Sequence, residues 1–237
     1  MERLFIEGLL VDRDEIPAGS YVRDIPSLSG LTELRFTSPV TFFCGDNGSG
    51  KSTLLEAIAL CWGFNPEGGT VNYDFSTYDS HSPLFEAMTL VKGPRKPSWG
   101  YFFRAESFYN VATMEMEYRG DRSMAFHSRS HGESFLALAG EQFRENCLII
   151  MDEPEAALSP GGQLSLLKLI DESASSGSQF IIASHSPILM GYPGCEILSF
   201  GEDGIVPVGY EETDSYRITS MFLRDRGRIL HSLLGED

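Results

Sequence analysis

Gly45-Asp46-Asn47-Gly48-Ser49-Gly50-Lys51-Ser52, followed by Thr53, is the stretch on which the reading of this chain turns. It fits the pattern G-x-x-x-x-G-K-[ST]. Each residue type has a physical task. Glycines let a loop curl until successive backbone N–H groups point inward at an anion. A helix that starts where the loop ends adds its unpaired N–H groups and the positive end of its dipole. A lysine at the helix start reaches the outer phosphates, and the following hydroxyl suits Mg2+. Gly45, Asn47, Gly48, Ser49, Gly50, Lys51, Ser52 and Thr53 are therefore the candidate phosphate contacts. The flanks agree. Residues 39–44 (PVTFFC) read as a short apolar strand, and 51–62 (KSTLLEAIALCW) as a helix apolar on nearly all sides and so largely buried.

A second run, Cys147-Leu148-Ile149-Ile150-Met151-Asp152-Glu153-Pro154-Glu155, is continuously apolar and then acidic. That is the signature of a central parallel strand, and it sets two carboxylates at the strand's carboxyl end, where open α/β sheets bind ligands. Asp152 is the candidate Mg2+ carboxylate, and Glu153 the group that polarises an attacking water. Residues 3–11, 101–109, 179–183 and 196–200 read as further strands, 133–145 and 161–175 as helices, and 63–100, rich in Gly, Pro, Asn, Ser and Asp, as loop. Residues 213–234 read as one or two helices with a solvated face. The alternation of strand and helix predicts an α/β layer fold. The 237 residues suffice for one large domain, 1–237, with little room for a second.

Composition narrows the function. With 18 Lys and Arg against 34 Asp and Glu, the net charge of −16 disfavours a general nucleic-acid coat. The one local exception, Lys92, Arg95 and Lys96 among Pro94, Pro97, Trp99 and Tyr101, has the make-up of a nucleic-acid patch, although a solvated loop is the plainer reading. The four cysteines form no C-x-x-C pair, which argues against a zinc ribbon and for reduced thiols in the cytoplasm. MERLFIEGLL lacks the cationic start of a signal peptide, and no apolar run nears the ~18 residues of a membrane span.

The loop GDNGSGKST, the strand end IIMDEPEAALSP and the segment FIIASHSP together resemble the ATP-binding-cassette class of P-loop ATPases. The DEPE and ASHSP forms are most similar to small stand-alone bacterial ATPases related to the heads of chromosome-maintenance, recombination-repair and overcoming-lysogenization-defect ATPases; transporter cassettes usually read DEPT and THD. The resemblance implies a mainly parallel sheet with a smaller antiparallel N-terminal layer, ATP and Mg2+ as cofactors, and hydrolysis. It makes His185 the switch histidine that contacts the γ-phosphate. It makes Ser130-His131-Gly132-Glu133-Ser134 the signature segment, which binds the γ-phosphate held by a second chain, so that two chains close around two nucleotides in an ATP-dependent homodimer. Only Ser130 and Gly132 keep the chemistry of the common LSGGQ form, Glu133 standing beside them, and an ordinary helix-capping segment is the alternative reading. Glu106 stands where a glutamine that senses Mg2+ and water is usual, and Ser159 where an aspartate is usual. Tyr21 and Phe5 are candidates to stack on adenine.

Three functions follow from these residues. The first is an ATP-driven switch or motor subunit in DNA repair or phage defence, working with an effector protein such as a nuclease or toxin. The second is the nucleotide-binding subunit of a membrane transporter, disfavoured because only 23 residues, too few for the usual docking subdomain, separate Glu106 from Ser130. The third is a P-loop kinase, which has no use for a signature segment or a switch histidine.

Overall fold

The computed structural model describes residues 4–66, 68–70, 82–104 and 130–235. The runs Val40–Gly45 (β3), Cys147–Asp152 (β6) and Gln179–Ala183 (β7) are buried along almost their whole length. Strands covered on both faces belong in the middle of a parallel sheet, and that is where they lie. The sheet order is β5-β6-β7-β3-β8-β9, with β5 at Trp99–Arg104, β8 at Glu196–Gly201 and β9 at Gly204–Pro207. The five strands from β5 to β8 run parallel, and β9 turns back antiparallel on β8. A second, three-stranded antiparallel sheet has the order β2-β1-β4, formed by Glu33–Arg35, Ile6–Val11 and Met88–Lys92. Both expected layers are thus present.

The alternation of side chains along a strand sorts the core into two halves. Phe43, Ile150 and Ile181 point to the side that holds the small sheet and the helix Lys51–Trp62 (α2), following the short helix Pro26–Ser29 (α1). Their sequence neighbours Phe42, Ile149 and Ile182 point to the other side, against Phe135 and Leu138 of His131–Gln142 (α3) and Leu166 and Ile170 of Pro160–Ser175 (α4). Helix boundaries have local causes. Gly63, at φ 105°, ends α2 in the left-handed cap that glycine adopts without penalty. Ser159, with Pro160 at the first helical position, caps α4 and takes the N–H of Gly162 at 3.2 Å, which is the local role of the serine that replaces the usual aspartate.

Three expectations need correction. The stretch 63–100 contains strand β4, which pairs with β1 from Met88 to Lys92. Met-Thr-Leu-Val-Lys is too short to declare itself, and pairing with β1 makes it a strand. β5 begins at Trp99 and is described to Arg104; Glu106 lies outside the described residues. Phe5 is 1% exposed within the core and cannot stack on a ligand. The C-terminal stretch forms two helices, Asp214–Arg224 (α5) and Arg226–Leu234 (α6), with no buried residue in either; beside the arginines they also expose Ile218, Leu223, Leu233 and Leu234. Among the described residues no helix is long and apolar enough to cross a membrane.

One contact between the sheets has no counterpart in the sequence reading. Gln179, 1% exposed at the start of β7, accepts from the backbone N–H groups of both Phe5 and Ile6 at 2.9 Å and donates to the carbonyl of Ile6 at 2.9 Å. It behaves as a short extra strand for the N-terminal layer. Gln179→Leu would leave three buried backbone groups unpaired, and we expect it to destabilise the chain by about 2–4 kcal/mol, read as a lowered urea midpoint.

Candidate functional site

β3 delivers the loop 45–50 to the carboxyl edge of the sheet, and the loop's backbone shows why glycine is needed there. Gly45, Gly48 and Gly50 have φ values of 136°, 77° and 98°. A Cβ on Gly45 would stand 2.4 Å from the carbonyl oxygen of Phe200, and one on Gly50 2.8 Å from Ile25. Gly48 faces open space, so only its backbone conformation demands glycine. The segment before β2 supports the loop from outside, because the Ser27 hydroxyl donates to the carbonyl of Ser49.

Lys51 is 4% exposed, and its Nζ donates to the carbonyls of Gly45 and Asp46 at 2.9 and 2.8 Å. Burial pushes its pKa below the ordinary lysine value, and the carboxylates of Glu153 and Asp152 act against that push. The ammonium is thus held in a place poor in water with only carbonyl partners, a cost that a bound anion would relieve. Next to it, the Ser52 hydroxyl donates to Asp152 Oδ1 at 3.0 Å and ties the start of α2 to the end of β6.

Glu153 follows Asp152 in the left-handed conformation, φ 48° and ψ 51°, although it is not glycine and precedes proline. Its own N–H holds it there by donating to the carbonyl of Ala183 at 3.0 Å. Backbone strain of this kind, of order 1–3 kcal/mol, persists where the surroundings overdetermine it. Its consequence is directional. The Glu153 carboxylate reaches the neighbouring strand end, where Oε1 lies 3.7 Å from His185 Nε2. The backbone N–H of His185 in turn donates to Glu155 Oε1. Among the described residues the buried His185 Nε2 and Ser49 Oγ atoms have no hydrogen-bond partner.

These groups border one cleft of about 700 Å³, where Lys51, Ser52, Glu153 and His185 meet the glycine loop, Glu155, Tyr21 and Ile25. A triphosphate fits this donor set. The loop supplies backbone donors, Lys51 the cation, and Ser52 with Asp152 an oxygen pair for a divalent metal. Among the described residues no three His, Cys, Asp or Glu side chains gather into a metal cage. That suits Mg2+, which is typically held by one or two protein oxygens plus substrate phosphates.

The structure thus brings the loop, Asp152, Glu153 and His185 together, with Tyr21 from the stacking pair. Ser130, Gly132 and Glu133 do not border the cleft. Ser130 caps α3 in a reciprocal box: its hydroxyl accepts from the Glu133 N–H at 3.4 Å, and Glu133 Oε2 accepts from the Ser130 N–H at 2.8 Å. Gly132 packs on the turn after Glu153, since a Cβ there would come 3.0 Å from the carbonyl of Ala157. Two features escaped the sequence reading. The part played by Glu155 had a signal in its place two residues beyond Glu153. Ile25 had none, because its position follows from the packing of the N-terminal segment on the loop.

Two family models match the chain. One, described as "AAA domain", covers residues 21–93, and the other, described as "AAA domain, putative AbiEii toxin, Type IV TA system", covers residues 77–191. Among characterised relatives, the hemin import ATP-binding protein HmuV of Pseudomonas aeruginosa is 28% identical over 60% of this chain and 64% of its own length. The cobalt import ATP-binding protein CbiO of Salmonella paratyphi A is 27% identical over 69% of this chain and 68% of its own. Among solved structures, the SMC head domain from Thermotoga maritima aligns with a TM-score of 0.49 and 15% identity, over 87% of this chain and all of that one. The two models together run from the N-terminal segment through the glycine loop and the acidic strand end to the residues after His185. From the N-terminal segment to the residues after His185 the chain is thus similar to AAA-domain models and to ATP-binding proteins, and ATP with Mg2+ suits the donor set of the cleft.

Proposed function

We propose that this chain, 1–237 as a single ATPase domain, hydrolyses ATP as a switch whose nucleotide state governs its pairing with a second copy. The observation that carries this reading is the convergence of Lys51, the Ser52–Asp152 pair, Glu153 and His185 on one cleft. The loop amides and Lys51 hold the outer phosphates. Ser52 and Asp152 hold Mg2+, which when bound neutralises phosphate oxygens. Glu153, fixed by its backbone and placed beside His185, orients a water against the terminal phosphate, and His185 offers Nε2 to that phosphate. Tyr21, 54% exposed at the rim, is the residue placed to cover the base.

The pairing rests on geometry that one chain leaves incomplete. Ser130, Gly132 and Glu133 sit off their own cleft, at the exposed start of a helix. A second copy can present that helix start to the phosphate of the first. ATP then favours the pair because ADP lacks the oxygens that the partner would bind. Glu106, in the position of the usual glutamine, would add a carboxylate to the metal site. Four free cysteines support work in the cytoplasm. The effector is a separate protein, a nuclease or toxin in DNA repair or phage defence. The AbiEii-type model over 77–191 favours that over a transport role.

Four outcomes test this. Glu153→Gln should bind Mg·ATP as the wild type does and hydrolyse it roughly a hundredfold more slowly, the loss expected of a positioned general base; steady-state phosphate release and nucleotide affinity would be measured side by side. Lys51→Ala should abolish the ATP-induced rise in melting temperature. In the wild type, a bound phosphate raises the depressed Lys51 pKa, so at alkaline pH binding should take up protons and affinity should fall as pH passes the free-state value; calorimetry in buffers of different ionisation enthalpy would show it. Light scattering of Glu153→Gln should give a dimer with Mg·ATP and a weaker association with ADP. Adding Ser130→Arg should remove the ATP-dependent part alone, and equal mass in all three samples would overturn the pairing.

A further inference from the structure

The opposite edge of the main sheet carries a second concavity. β5 spans five residue steps from Trp99 to Arg104, so the start of the strand lies about 16 Å from the nucleotide-cleft end. Around that start is a groove of about 440 Å³ bordered by Trp62 at the end of α2, Lys92 at the end of β4, Arg95, Lys96 and Trp99. The volume is in the range of small-ligand sites. Its make-up is at odds with the chain as a whole. Acidic residues outnumber basic ones 34 to 18 overall, yet among the described residues three cations and no carboxylate line the groove. Both tryptophans of the chain stand there.

The groove is held in shape. Asn146, itself in the left-handed conformation at φ 55°, accepts from Arg95 Nη2 at 2.5 Å, donates to the carbonyl of Lys96 at 3.2 Å, and takes the Ser98 N–H on its own carbonyl at 2.8 Å. The Trp99 indole donates to Gln142 Oε1 at 2.9 Å, and the Arg144 guanidinium lies 4.8 Å from its ring centre. Lys92 Nζ lies 4.7 Å from the Trp62 ring centre. The Trp99 indole, held by Gln142, gives the groove a wall whose shape exists before any ligand arrives. Tyr101, buried at 1% exposure, takes no part.

We infer that the groove of Trp62, Lys92, Lys96 and Trp99 is a second ligand site, taking a nucleobase that carries a phosphate. The base stacks on an indole, as aromatic platforms bind bases of any sequence, and the phosphate meets the exposed lysines. A free nucleotide and a unit of single-stranded nucleic acid share this chemistry. The site is distant from the nucleotide cleft, and the inference does not depend on hydrolysis or pairing.

Because both tryptophans border the groove, tryptophan fluorescence excited at long wavelength reports on it alone. Thymidine monophosphate and a short oligodeoxythymidine would be titrated separately into the wild type and into Lys92→Glu/Lys96→Glu, whose substituted side chains are exposed. We expect saturable quenching in the wild type, with half-saturation raised at least about tenfold in the variant. The variant should keep the ATP-induced thermal shift as its control for folding. Saturation by the mononucleotide identifies a free nucleotide as the ligand, and saturation by the oligomer alone identifies a single strand. Absence of saturable quenching with both probes, or quenching untouched by the charge reversals, would overturn the site.

Discussion

The site depends on a row of residues held level across four parallel strands. Phe43 pairs with Ala183, Ala183 with Asp152, and Asp152 with Arg104. Beyond that row each strand releases its functional segment: the glycine loop after β3, His185 after β7, Glu153 after β6. The ladder hydrogen bonds put these ends at one height, although they lie far apart along the chain. A slip of one residue between β6 and β7 would turn Ile149 and Ile150 to the wrong sides of the sheet and carry Glu153 off His185. The two-sided core therefore enforces the geometry of the cleft, because the same alternation that buries the strands sets where they stop.

On that frame the loop and the strand end are both kept in conformations that a free chain avoids. Glycine makes three positions of the loop inexpensive, whereas Glu153 has a full side chain in a left-handed conformation and is held by one ladder bond to Ala183. Buried Lys51 is a second imbalance of the same kind, a desolvated cation surrounded by carbonyls and near carboxylates. The desolvated ammonium of Lys51 is a cost that a polyphosphate would offset, and the strained backbone of Glu153 stands beside it.

The helix start at Ser130 works differently. There the polar groups are satisfied within the chain, since Ser130 and Glu133 close a capping box on each other. A phosphate from a second copy would have to compete with the Glu133 carboxylate for the N–H groups of that turn. In the proposed pairing, such competition would make association respond to the charge and number of phosphate oxygens. The short segment also packs on Ala157, one turn beyond Glu153, so the two regions share a physical neighbour.

How much of this was legible beforehand differs from element to element. The glycine loop, its helix, the central strands and the acidic strand end declared themselves in the sequence, because their causes are local: φ values only glycine adopts readily, unbroken apolar runs, a lysine and a hydroxyl at a helix start. Strand β4, the stitch made by Gln179, the burial of Phe5 and the gathering of both tryptophans at one groove were invisible there. Met88–Lys92 is a strand because β1 lies beside it, and Gln179 bonds to residues more than 170 positions away. Contacts between segments so distant are set by how layers stack, and a side chain carries no mark of what will stand opposite it. The glycine loop, its lysine and the acidic strand end can be read from the residues alone; that Glu153 and His185 face one another across two strands follows from the sheet, because register is a property of the sheet and of no single strand.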